Sequence, residues 1–107
     1  MRTGRGQNDR EHWASRSRRV KRERGTVAWS VRAGFGPAAG ILPCTVTLVR
    51  VAPSNGLDGD NLQGALKACR DGVADWLGVD DRDPAVTWQY RQRRSKAGEW
   101  VVEVHIA

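Results

Sequence analysis

The chain has 107 residues, 39% of them apolar and five of them Trp, so it has enough for one domain with one modest core and is not a disordered chain. Its formal net charge of +6 is uneven: residues 1–24 hold nine Lys or Arg against three acids, whereas residues 25–107 hold nine of each. No apolar run follows the basic start and no stretch reaches the length of a membrane span, so neither a signal peptide nor a membrane partner is expected, and the expected location is cytoplasmic.

Residues 1–10 are polar and glycine-containing and are expected to form a flexible basic arm, leaving 11–107 as the domain. From about Glu11 to Gly34 the spacing of Val20, Val27, Val31 and Phe35 predicts a helix, which Trp13 extends backwards. Arg16, Arg18, Arg19, Lys21, Arg22 and Arg24 cover much of its other surface. Such a basic segment is drawn to phosphate backbones or anionic surfaces, and nucleic acid is the preferred partner; a solubilising tail or a solvated helix face are the alternatives. Gly25 weakens the helix by about 1 kcal/mol relative to Ala.

Three Gly and two Pro make 34–43 a linker. Cys44–Val51, β-branched and bracketed by Pro43 and Pro53, is the clearest strand, with Val46 and Leu48 on its core face. A second helix follows from about Asp60 to Leu77. Leu62, Leu66, Cys69, Val73 and Trp76 form its buried face, Asp60 or Asp58 its N-cap and Gly78 its stop. Val86, Trp88 and Tyr90 alternate with polar residues, as do Trp100, Val102, Val104 and Ile106, which predicts two strands. The connection 93–99 between them reads as a hairpin with a basic tip. Cys44 and Cys69 follow no metal-ligand spacing and are expected as buried free thiols. The resulting order, helix-strand-helix-strand-strand, predicts an α/β two-layer domain with a small mixed sheet against two main helices.

Two acid groups bracket the second helix: Asp58 and Asp60 before it, and Asp80, Asp81 and Asp83 after it. A helix of that length separates its ends by roughly 27 Å, so the chain must return for the groups to meet. Were they to meet, the like charges would raise each other's pKa unless a hard cation such as Mg²⁺ or Mn²⁺ joined them. Such a cation activates water and neutralises charge on a phosphoryl group. The alternative assigns Asp60 to a helix cap and the later acids to a solvated turn. A calcium loop starting at Asp58 is excluded, because Leu62, Gln63 and Cys69 stand at its fifth, sixth and twelfth places.

Asp58-Gly59-Asp60-Asn61-Leu62-Gln63, followed by Ala65-Leu66, Asp71-Gly72 and Leu77-Gly78-Val79-Asp80-Asp81, resembles the RusA family of Holliday junction resolvases. The resemblance covers about Val46 to Ile106. It implies a small homodimeric, Mg²⁺-dependent endodeoxyribonuclease, of the kind carried by bacteria and phages, that resolves four-way DNA junctions by paired nicks in recombination and repair. It further implies that Asp58, Asp60 and Asp81 hold the metal, with Asp80 beside them. The family lysine four residues after the second motif aspartate is replaced here by Gly64. Lys67, about one helical turn further, is the expected substitute, and Arg70 a weaker one. The family's opening strand also has no counterpart in the expected elements. DNA contacts are expected from the residue 16–24 segment, from Arg70, and from Arg91, Arg93, Arg94 and Lys96, mostly to phosphates. The five Trp are expected as core or interface anchors, with Trp13 the best candidate for base stacking. His12 and His105 have no metal-ligand partner at a recognised spacing. A noncatalytic DNA-binding protein of the same fold, and a phage structural or assembly protein, are the competing expectations.

Overall fold

The computed structural model describes residues 17–20, 24–54 and 56–107, the first of these by backbone alone. The described elements are β1 (Ser17–Val20), α1 (Arg24–Phe35), β2 (Cys44–Ala52), α2 (Gly59–Ala65), α3 (Lys67–Leu77), β3 (Val86–Arg94) and β4 (Val101–Ile106). The strands form one mixed sheet in the order β1-β4-β2-β3. β2 is central, parallel to β3 and antiparallel to β4, while β1 adds to the outer side of β4 in antiparallel register.

The register sets which side chains share a face. Val46 lies beside Trp88 and Ile106, Leu48 beside Tyr90 and Val104, and Arg50 beside Gln92 and Val102. The first two rows supply the sheet's share of the core. Val27, Val31 and Phe35 from α1 and Leu62, Leu66, Cys69, Val73 and Leu77 from the later helices supply the rest. All the core rows of the sheet have one parity, so the helices cover one face, and the two-layer α/β expectation holds at that level. Both cysteines are buried free thiols.

Three expectations are corrected. The helix expected from Glu11 begins only at Arg24, and Ser17–Val20 is a strand instead. Val20 fits a seven-residue spacing to Val27, but its backbone takes its partners from β4, opposite Val102. An edge strand absent from the expected elements is therefore present, as β1. Gly25 then falls in the first helical turn, where backbone amides have no intrahelical acceptor to lose. The basic hairpin does not form: β3 and β4 lie on opposite sides of β2, and the chain between them crosses its end, where the Ser95 amide donates to the Ala52 carbonyl at 2.8 Å. The second helix is two helices, interrupted at Leu66 (φ −101°, ψ 5°). The buried Leu66 keeps its own amide within 3.1 Å of the Leu62 carbonyl and 3.2 Å of that of Gln63, and its carbonyl accepts from the Arg70 amide at 2.9 Å, so the break loses little hydrogen bonding.

α1 crosses α3 at Gly72. A Cβ there would lie 2.6 Å from the Arg24 carbonyl oxygen and 2.7 Å from Val27 Cβ. The missing side chain is what lets the helices approach. A bidentate Arg24–Asp75 pair, at 2.7 and 2.8 Å, closes the same crossing from outside. Trp76 anchors the far end of α1, packing on Phe35 with ring centroids 5.8 Å apart and donating Nε1 to the Gly36 carbonyl.

Candidate functional site: a groove along the edge strand

β3 is an edge of the sheet, and the loops at both ends of the α2–α3 unit fasten to it. At one end, Gln92 accepts from the Leu57 amide at 2.8 Å and donates to the Leu57 carbonyl at 2.7 Å. This fixes the residue before Asp58. At the other end, Trp88 Nε1 donates to the Asp81 carbonyl at 2.9 Å. Between these anchors, Gly59, Leu62 and Gln63 of α2 face Trp88, Gln89, Tyr90 and Arg91 of β3 across an open groove. Both acid-bearing loops are thus anchored on β3, but among the described residues no acid lines the groove itself: Gly59 sets it beside the first acid group, whereas Asp80 and Asp81 line a separate pocket with Arg24, Lys67, Asp71 and Asp75.

Asp58 is the N-cap of α2, its Oδ1 accepting from the Asn61 amide at 3.0 Å. Asp60 occupies the first turn of α2 and is exposed, where the helix dipole favours a carboxylate. Asp81 is held more tightly. The Arg70 Nη2 donates to its carbonyl at 2.8 Å, and the Arg70 Nε lies 3.1 Å from Oδ2, an ion-pair contact without hydrogen-bond alignment. Arg70 is itself fixed by a 2.6 Å bond to the Tyr90 hydroxyl and by the Trp88 ring, 4.9 Å from its Cζ. Arg70 is therefore engaged inside the protein by the Asp81 loop.

Lys67 opens α3 with its ammonium 2.8 Å from Asp71 and 3.7 Å from Asp81. The hydrogen bond to Asp71, with both carboxylates' charge behind it, raises the Lys67 pKa above its ordinary 10.5. Lys67 and Asp81 are fourteen positions apart in sequence and adjacent in space. Gly64 faces open space, with nothing within 4 Å of where its Cβ would stand.

Asp80 and Asp83 shape the turn. Asp80 accepts from the Arg82 amide at 2.8 Å and Asp83 from the Ala85 amide at 2.9 Å. The Arg82 amide, then a hydrogen bond with Asp81, holds the Asp80 carboxyl below its ordinary 3.8.

The two anchors on β3, Trp88 and Gln92, are four residues apart, or roughly 13 Å of strand. Among the described residues no three acid, His or Cys side chains gather as a metal-binding set. Asp81 is engaged by Arg70 and Lys67, and Asp58 by its cap. In this arrangement the carboxylates do not form one coordination shell for Mg²⁺ or Mn²⁺, which needs its oxygens at about 2.0–2.2 Å.

Of the expected basic contacts, Arg24 pairs with Asp75, and Arg93 makes a bidentate pair with Glu103. Arg93 and Glu103 stand on the two strands flanking β2, so their bond crosses its outer face by Val49 and Val51. That roof accounts for the burial of both valines on the face without helices. Arg91, Arg94 and Lys96 are exposed. Arg16, Lys21, Arg22, His12 and Trp13 lie outside the described residues, as do the side chains of Arg18 and Arg19. His105 sits on the outer face, 3.2 Å from Glu103. Trp29 and Trp100 are exposed and are not core anchors. No described helix is long and apolar enough to cross a membrane.

Sequence reasoning missed Arg50. Its signal was the lone charge on the strand, with the parity of Val46 and Leu48.

No family model matches the chain, and no solved structure gives a significant match. A protein of Xylella fastidiosa described as uncharacterized is 40% identical over 83 residues, 70% of this chain and 52% of that protein. The chain thus spans about half the length of that relative.

Proposed function

We propose that the chain is a RusA-like endodeoxyribonuclease domain acting on branched DNA, with the β3 groove as the path of the cut strand. The observation that carries this reading is the anchoring of both acid-bearing loops on β3, at Gln92 and at Trp88, with Lys67 beside Asp81. An amphipathic helix alone would leave its ends far apart; here the 79–81 loop returns to the first turn of α3. In this reading Asp58, Asp60 and Asp81 are the essential carboxylates, with Asp80 beside them, and Lys67 takes the place of the lysine lost at Gly64. Lys67 contributes a compact positive charge to a phosphate oxygen. Mg²⁺, or Mn²⁺ in its place, enters from the family resemblance and would supply an activated water and charge neutralisation. A homodimer with two-fold symmetry would present two grooves to opposite strands of a junction. Bacterial or phage recombination and repair is the matching setting.

The test is cleavage of a labelled four-way junction beside linear duplex, with Mg²⁺, with Mn²⁺ and with chelator. Metal-dependent, symmetric nicks in the junction alone support the reading. Conversely, junction binding with no nick under either metal favours a noncatalytic junction-binding protein. Two observations favour that second reading: the Asp81 carboxylate is already held by Arg70 and Lys67, and Gly64 stands where the family has lysine. Gly64→Lys separates the two further. Its Cβ meets no neighbour, and the lysine should raise cutting by the nuclease while adding only affinity to a binding module.

A further inference from the structure

Arg50 is a cation built into the wall of the protein. It is 7% exposed and lies on the core-facing side of β2. A guanidinium so buried requires compensation, because desolvating a charge is costly unless it is paired. Its compensation here is incomplete. Nη2 donates to the Ser54 hydroxyl at 3.2 Å, Nε is buried without a hydrogen-bond partner, and Cζ lies 5.7 Å from the centre of the exposed Trp100 ring. Among the described residues no carboxylate reaches Arg50.

Arg50 opens onto a pocket at the carboxyl ends of the parallel strands β2 and β3, lined also by Ser54, Gly56, Gln92, Arg93 and Arg94. Among the described residues no acid lines it, and of its three arginines only Arg93 has a described carboxylate partner, Glu103. The carboxyl ends of parallel strands are also where open α/β sheets place their ligands. Gly56 stands two residues before Asp58, and Gln92 is the anchor of that same loop. The pocket and the β3 groove are therefore neighbours along β3, with the Leu57–Gln92 hydrogen bonds between them.

We infer that this pocket is a phosphate subsite, in which Arg50 and Arg94 bind a backbone phosphodiester of the DNA strand lying in the groove. This rests on the nucleic-acid reading above but not on cleavage. The bound phosphate supplies the counter-charge that Arg50 lacks, and Trp100 is placed to stack on a neighbouring base.

The test is binding of a labelled four-way junction in chelator, across a salt series, by wild type, Arg50→Met and Arg94→Gln. Arg50→Met removes the buried charge at similar volume, and Arg94→Gln changes only an exposed side chain, so one variant keeps its fold regardless. Each should weaken binding roughly tenfold or more, as loss of a charge-assisted hydrogen bond does. Each should also reduce the slope of log affinity against log salt by about 0.9, the signature of one lost phosphate contact. A change in affinity without that change in slope would point to a structural role and overturn the proposal. Wild-type affinity in both variants would overturn it too, leaving the nuclease reading standing. Failure of the wild type to bind the junction would overturn both. If the wild type does not cut but its binding depends on both arginines, the subsite stands and the nuclease reading falls.

Discussion

Gly64 and Gly72 lie eight positions apart in the α2–α3 unit, and their environments make them respond oppositely to one added methyl. At Gly72, Ala gains helix propensity but drives Cβ into the Arg24 carbonyl and Val27. Overpacking of this kind outweighs the gain, and Gly72→Ala should destabilise by about 1–3 kcal/mol, read as a lower denaturant midpoint at unchanged slope. At Gly64 the space is open, and Ala should stabilise by up to about 1 kcal/mol in the same measurement. Gly72 belongs to the motif and Gly64 departs from it, yet nothing in the sequence distinguished the packed glycine from the free one. Arg50 was equally silent, although its parity with Val46 and Leu48 was visible. A lone arginine in a strand reads as solvated until the register shows which face it shares.

At the scale of elements, α1 and α3 are joined by the apolar contact at Gly72 and by the Arg24–Asp75 pair. The hydrogen bond from Arg24 holds the Asp75 carboxyl below its ordinary 3.8. A depressed folded-state pKa means the contribution to stability is fully present above that unfolded value and is lost as pH falls through the folded one. The melting temperature should therefore drop as pH falls below about 3.8, and Asp75→Asn should flatten that part of the profile. Because both partners are exposed, the effect should be small. Helix faces were legible in sequence because periodicity is local: Leu62, Leu66, Cys69 and Val73 are all buried as expected. The start of α1 was not legible, since the Val20 spacing satisfies a helical pattern while its backbone is taken by a strand eighty residues away. Nor was the break at Leu66, a residue whose side chain fits the apolar stripe. Truncating it to Ala should cost about 2–5 kcal/mol, since it is fully buried where α2 meets α3.

At the scale of the molecule, the sheet order turns a linear motif into a site. Because β2 separates β3 from β4, β3 is left as an edge, and the helical unit that precedes it lays both its ends along that edge. The expected hairpin would have paired β3 with β4. A glycine-containing basic connection is compatible with either arrangement, and strand order depends on long-range packing that no local pattern encodes. The acid groups were legible as residues; the anchoring of both their loops on β3 was not. The nuclease proposal turns on whether the two groups act together on one phosphodiester. The direct measurement is single-turnover cleavage of a four-way junction by Asp60→Asn and Asp81→Asn, with fold and junction binding checked for each. The proposal predicts that each loses cutting by about a hundred- to a thousandfold while folded and still bound, the scale on which loss of a single catalytic electrostatic group is felt. Wild-type cutting by Asp81→Asn would contradict it, because the second acid group would then have no part in the reaction.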